Sequence, residues 1–391
     1  MVYHYDSRQI GKGDVFICLP GGEPFINDAR DNGAEKVMKM TRAQMAAFAV
    51  SHFQDPSRKL QVVGVTGTNG KTTVVHLVSH VLKLSGIKVE TLGTLNSDLT
   101  TPESWDIQQK MAGHIQNKGT HFVMEVSSHG IHQERVLGVD FDVKLLTNLG
   151  QDHLDYHQSM AQYHATKKSF MKEGPGLSIY PKTFEKEVLN FPPPLVGTFN
   201  YLNLQAAVSI LKQLQIDEKD ISETLSQVKS PPGRFESICE GQDQMVIVDY
   251  AHTPCGLKNV LKTAREMASE RQGRLITVFG CGGDRDRSKR PLMAHAVSEY
   301  SHVAIVTQDN PRSENPQQII NDTVKGFSGT DTYFVENDRE KAIQVALVQS
   351  QKKDVVVIAG KGHEDYQIFK DKTIYFDDRE TAKKIIRSLI V

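Results

Sequence analysis

Gly64-Val65-Thr66-Gly67-Thr68-Asn69-Gly70-Lys71-Thr72-Thr73 decides the reading of this chain. The apolar run before it, Leu60-Gln61-Val62-Val63, reads as a buried strand. After it, Val74, Leu77, Val78, Val81 and Leu82 share one face of a helix-period pattern, and Gly86 supplies the stop. Strand, glycine turn and helix together make a phosphate cradle. Backbone N–H groups converge on phosphate oxygens, and the helix N-terminus adds partial positive charge. Lys71 reaches the outer phosphates, and Thr72 or Thr73 supplies a hydroxyl to Mg²⁺. Val65 stands where the usual motif has its first glycine. Gly64 and Gly67 are read as an alternative glycine pair.

Outward from this turn, short apolar runs alternate with helical patterns to about Lys229. Lys88–Gly93, His121–Val126 and Val143–Asn148 each end in polar residues, as parallel strands do when their C-terminal ends carry chemistry. Glu173 to Pro194 is Pro- and Gly-rich with little periodicity, and reads as a loose stretch. Before Leu60, Asp14–Pro20 reads as a strand and Asn27–Gly33 as a short helix, in a unit too small to stand alone. Ser230-Pro231-Pro232-Gly233-Arg234 reads as a linker. Beyond it, apolar runs at 245–248, 275–279, 303–306 and 355–359 predict a second doubly wound α/β unit.

Bulk composition is quiet. The 391 residues carry a net charge of -1, which gives no electrostatic case for nucleic acid. Four scattered cysteines form no C-x-x-C pair, so a reducing cytoplasm is the expected setting. No signal-like or membrane-spanning apolar run is read, and no membrane insertion is expected.

The strand ends bring the chemistry. Glu125 closes one strand as a candidate Mg²⁺ ligand beside the phosphate turn. His153 and His157 stand four apart between acids, but without the glutamate and third ligand of a zinc site. Lys167 shares a stripe with Met160, Tyr163 and Phe170; spacing alone reads it as a lysine snorkelling from an apolar face. In the last unit, Gly280-Cys281-Gly282-Gly283 lacks dinucleotide-fingerprint spacing. Arg290, Arg312, Lys361, His252 and Glu364 are expected near one edge, where guanidinium groups can clamp carboxylates. The competing reading is a charged but idle loop rim.

Taken together, these motifs resemble the Mur ligases of peptidoglycan synthesis. The likeness runs through Asp6-Ser7-Arg8, Gly64–Thr73, Thr100-Thr101-Pro102-Glu103, Glu125–His129, Asn148–Lys167, Gly197–Asn203, Gly233–Glu236, Asp249–Pro254, Gly280–Pro291, Asp309–Arg312 and Gly360–Glu364. It implies a three-domain α/β architecture: a substrate-binding unit over 1–60, a P-loop parallel-sheet domain over 61–230 and a Rossmann-like domain over 231–391. The first unit and the connection between Phe170 and Gly197 are shorter than the family pattern.

The resemblance also implies roles. Gly67, Thr68, Asn69, Gly70, Lys71, Thr72, Thr73, Asn200, Arg234 and His252 match nucleotide positions. Lys167 matches a lysine that the family carbamylates to hold magnesium, which displaces the snorkelling reading; Thr72, Glu125 and His153 match groups around the metals. Ser7, Thr100, Thr101, Ser127, Gln133 and Arg135 match contacts to a UDP-muramoyl-peptide. Arg290, Asp309, Asn310, Arg312, Gly360 and Glu364 match those receiving the amino acid. Asp-Asn-Pro-Arg is the form associated with meso-diaminopimelate: Arg312 can grip its far carboxylate and Glu364 its far ammonium.

The implied activity is an ATP- and Mg²⁺-dependent amide ligase, cytoplasmic and monomeric, that extends UDP-N-acetylmuramoyl-L-Ala-D-Glu. The alternatives are L-lysine or another acceptor, or a non-catalytic nucleotide-binding relative. A folylpolyglutamate synthase fits Asp309–Arg312 poorly.

Overall fold

The computed structural model describes residues 2–329 and 332–390. Three main sheets, two parallel and one mixed, follow one another along the chain. The first is small: Tyr3–His4, Val15–Cys18 and Lys36–Lys39 pair in that order. On one face it buries only a small cluster of its own, Ile10, Phe16, Cys18 and Ala29, too little for independent stability. Ile17, Leu19, Met45 and Ala49 close instead over Trp105 of the following unit. Arg42 adds an ion pair to Glu103 at 3.2 Å.

The second sheet has five strands in the order Val89–Leu92, His121–Glu125, Gln61–Thr66, Val143–Leu146, Leu177–Ile179, all parallel. The phosphate-turn strand is central, with both faces covered. The helices Lys71–Leu84 and Thr198–Gln213 cover one face through Val74, Leu77, Val78, Leu204 and Ala207. Ile107, Met111 and Phe170 cover the other. The predicted helical face is buried as read, and Gly86 lies just past the helix end at φ +77.

The loose stretch after Glu173 is corrected: it forms the edge strand Leu177–Ile179 and the short helix Pro181–Phe184. A three-residue edge strand is too short to show periodicity.

The third sheet runs Tyr333–Val335, Val303–Gln308, Leu275–Cys281, Val355–Ala359, Met245–Asp249, Glu236–Ile238. Only Glu236–Ile238 is antiparallel. The four predicted runs are its inner strands; the two flanking strands are three residues each, too short to have been read. In both larger sheets the parallel strands deliver their C-terminal loops to one edge, where ligands bind in such folds. Among the described residues no helix is long and apolar enough to cross a membrane, and the four cysteines are unpaired.

Candidate active site

The three glycines of the phosphate turn have two different jobs. Gly67 (φ +144) and Gly70 (φ +87) lie in the loop, where a side chain would strike Thr147 and Asn203. Gly64 lies inside the strand, and a Cβ there would sit 2.7–2.9 Å from the rings of Phe141 and Phe170. The sequence reading that paired Gly64 with Gly67 as cradle residues is therefore corrected: Gly64 is a packing glycine.

Both lysines converge on that loop. Lys71 Nζ donates to the carbonyls of Gly67 (2.9 Å) and Thr68 (3.0 Å). Lys167, on the helix Met160–Lys172, is 1% exposed and donates to the same Gly67 carbonyl at 2.9 Å. Burial pushes both ammonium groups down in pKa, Lys167 well below the ordinary lysine value with Lys71 adding repulsion. Tyr163 stands under Lys167, 4.8 Å from ring centre to Nζ, and its hydroxyl lies 3.1 Å from Thr68 Oγ1.

Thr72 donates to Glu125 Oε2 at 3.0 Å; Thr94 bonds the same carboxylate through its amide (2.8 Å) and hydroxyl (3.2 Å). A hydroxyl and a carboxylate side by side are the hard oxygen donors that Mg²⁺ takes. His153 has a left-handed backbone (φ +54), and burial holds its ring neutral beside Asp152. Its ring centre lies 6.2 Å from that of Tyr163, so Tyr163 contacts both His153 and Lys167. Among the described residues, no three His, Cys, Asp or Glu side chains form a metal cluster.

Next to Glu125 lies a second polar group. Thr101 Oγ1 donates to the Glu125 carbonyl (3.0 Å) and accepts from the Ser127 amide (2.9 Å). Thr100 Oγ1 is 3.1 Å from that of Thr94. Arg135 donates to the Thr101 carbonyl (2.8 Å) and to Gln133 (2.6 Å), and Gln133 donates to Tyr156. Thr100, Thr101, Ser127, Gln133 and Arg135 are thus brought together. Ser7 is not brought among them: it sits buried in one turn, Ser7–Gln9, its carbonyl bonded to Asn32 and Ile10.

The last unit closes on the phosphate turn. Arg234 lies 4.2 Å over the Tyr250 ring and donates to Thr72 Oγ1 at 3.1 Å. Asn200, buried, is 3.4 Å from Asn203, the residue packed on Gly70. His252 bonds the Tyr250 carbonyl, and burial lowers its pKa. Between the units is a cavity of ≈ 130 Å³. One wall is Asp152, His153 and Asp155; the other includes His252, Lys289, Asn310, Arg312 and Glu364.

Arg312, left-handed at φ +53, reaches the Gly283 carbonyl at 2.9 Å. Asn310 donates to Glu364 at 2.9 Å. Gly360 (φ +118) lets the chain pass Asp309, where a Cβ would meet the carboxylate at 2.7 Å. Burial works against the Asp309 charge, but Lys361 and Arg339 outweigh it and hold the carboxyl below its usual range.

Arg290 is the exception. It is 0% exposed and spent on Glu314 (2.7 Å) and Asp322 (3.1 Å), so it braces the loop and offers no open guanidinium. Sequence reasoning gave no role to Thr94, Asn203 and Tyr250: Asn203 and Tyr250 lie inside quoted motifs, but none of the three carries a charge by which to be singled out.

Two family descriptions match the chain: the Mur ligase middle domain over residues 65–185, and the Mur ligase glutamate ligase domain over 233–362. A protein of Syntrophomonas wolfei named UDP-N-acetylmuramoyl-L-alanyl-D-glutamate–2,6-diaminopimelate ligase is 38% identical, with 99% of this chain and 94% of that protein covered. The alignment spans 464 positions against 391 residues here, so this chain is internally shorter. A solved structure of a ligase of that name covers 100% of this chain and 95% of its own, at 29% identity and TM-score 0.61. MurF ligase from Thermotoga maritima, solved with ADP, shares the fold at 16% identity, TM-score 0.66 and coverages of 99% and 97%. The chain belongs to the Mur ligase family.

Proposed function

We propose that this protein is an ATP-dependent, ADP-forming ligase that adds meso-diaminopimelate to UDP-N-acetylmuramoyl-L-alanyl-D-glutamate in peptidoglycan synthesis. One observation carries it beyond kinship. One cavity is lined by both a guanidinium and a carboxylate, Arg312 and Glu364, and its facing wall, Asp152, His153 and Asp155, belongs to the unit that carries the phosphate turn and its two lysines. Arg312 would take the far carboxylate of a diamino diacid and Glu364 its far ammonium. L-lysine has no far carboxylate and would leave Arg312 idle.

Chemically, the peptide carboxylate attacks the γ-phosphorus of ATP, ADP leaves and an acyl phosphate forms. The amine of the incoming amino acid then attacks the acyl carbon, and phosphate leaves. Lys71 steadies charge on the phosphates. Thr72 and Glu125 would hold Mg²⁺, which when bound neutralises charge on the phosphate oxygens. The lowered pKa of Lys167 favours the free amine, the form that takes up CO₂ as a carbamate. As a carbamate, Lys167 with His153 would hold a second ion. Thr100, Ser127, Gln133 and Arg135 would receive the muramoyl-peptide, with Thr101 fixing their positions. The three domains are taken as 1–60, 61–230 and 231–391.

The test is phosphate release from ATP with the nucleotide-dipeptide and a panel of amino acids. Release is expected only with both substrates, and fastest with meso-diaminopimelate. Release indifferent to the nucleotide-dipeptide would refute the assignment; lysine outpacing diaminopimelate would refute the choice of amino acid.

A further inference from the structure

Lys361 is a fully buried cation in the amino-acid pocket to which the ligase reading gives no task. It follows Gly360 at the end of the strand Val355–Ala359. Its Nζ donates to Glu364 Oε2 at 3.0 Å and to Asn310 Oδ1 at 3.2 Å. The Tyr366 ring lies 5.3 Å away.

The orientation of Asn310 is fixed independently. The amide of Ile368 also donates to Oδ1, at 3.0 Å, so the side-chain nitrogen turns to Glu364 and donates to Oε2 at 2.9 Å. Both anchors therefore fall on one carboxylate oxygen. Among the described residues the other, Oε1, meets only the Tyr250 hydroxyl at 3.5 Å, the limit of a hydrogen bond. Oε1 is the oxygen left to receive a ligand in the cavity that Glu364 lines.

We propose that Lys361 is a positioning residue for the incoming amino acid: it anchors Oε2 of Glu364, so that Oε1 receives the far ammonium of the substrate. This rests on the assignment of Glu364 to the amino acid. The ionisable groups coupled to Glu364 include Asp309, Lys361, Arg339, Tyr250 and Tyr366, and Arg312, Arg285, His252, Lys289, Asp152, His153 and Asp155 line the same cavity. Burial and then Asp309 push the Glu364 carboxyl up, while Lys361 and the Asn310 bond oppose them. Without Lys361 the carboxyl rises further, which favours its neutral form, blind to ammonium.

The experiment measures KM for meso-diaminopimelate and for ATP, from about pH 7 to about pH 9, in the unaltered protein, Lys361→Met and Glu364→Gln. For Lys361→Met the amino-acid KM is expected to rise about tenfold or more at the lower pH, and to recover as pH rises and Glu364 ionises. The ATP KM stays put. Glu364→Gln is expected to be high and flat, because it has nothing to ionise. Should the methionine chain fail to fold, Lys361→Gln repeats the test with a polar, uncharged end. An unchanged amino-acid KM, or one raised equally at every pH, overturns the proposal while the ligase reading stands. Phosphate release by the unaltered protein that ignores the amino acid sinks the ligase reading and this proposal with it.

Discussion

The two larger units bury cations in opposite ways. In the P-loop unit, Lys71 and Lys167 share one carbonyl oxygen, and among the described residues neither makes an ion pair with a carboxylate. In the last unit, Arg290 is paired with Glu314 and Asp322, Arg339 with Asp378, and Lys361 with Glu364. A buried charge without a counter-charge is costly. On the proposed reading phosphate is the anion that Lys71 awaits, whereas Lys167 escapes the cost by losing its proton. The paired cations hold loops in shape. On the proposed reading the same residue types serve binding in one unit and architecture in the other, and the partner tells which.

The sharpest way to break this contrast is to remove a cation from each side. Lys71→Met is expected to cut turnover roughly a thousandfold while leaving melting temperature unchanged or raised, since no counter-charge is stranded. Lys167→Ala is expected to lose turnover too, with partial recovery on adding a short carboxylate, which a merely structural lysine would not allow. Arg339→Met should do the reverse. Arg339 and Asp378 are both fully buried, so stranding Asp378 costs about 3–5 kcal/mol, visible in chemical denaturation. Arg339 also ties the strand ends at Gln308 and Ala359. If Lys71→Met destabilised as much as Arg339→Met, the contrast would fail.

A smaller effect separates cradle from packing. Gly64→Ala forces a methyl against Phe141 and Phe170 and is expected to cost about 1–3 kcal/mol with an unchanged ATP KM. The smallest concerns pH. The His157 pKa is pushed down to about 4 by burial, then by His129, His132 and Lys167. Its folded value lies below its unfolded one, so the unfolded chain binds the extra proton as pH falls below about 6.5. Stability should therefore decline between there and about pH 4. His157→Phe should flatten that slope in thermal melts taken across the same range.

Motif-borne features were legible because a local backbone demand fixes the residue. Gly67, Gly70, Lys71 and Thr72 are read from seven residues, and the helix after them from one apolar stripe. What was not legible depends on pairing across the chain. Nothing near Arg290 in sequence reveals that Glu314 and Asp322 consume it. Nothing near Ser7 reveals that its turn faces Asn32, and nothing near Tyr250 reveals that Arg234 lies on its ring. Lys167 was legible only through family resemblance; its stripe alone gave the wrong answer, because a buried and a snorkelling lysine share a spacing.

The central claim is that a carboxyl group is energised at the lysine-lined turn and captured from the opposite pocket. Heavy oxygen placed in the acceptor carboxylate of the nucleotide-dipeptide tests it most directly, by mass analysis of the phosphate released during turnover with meso-diaminopimelate. One labelled oxygen carried into each phosphate is the expected result, since that oxygen bridges to phosphorus in the acyl phosphate. Phosphate free of label, with amide product formed, would contradict the account.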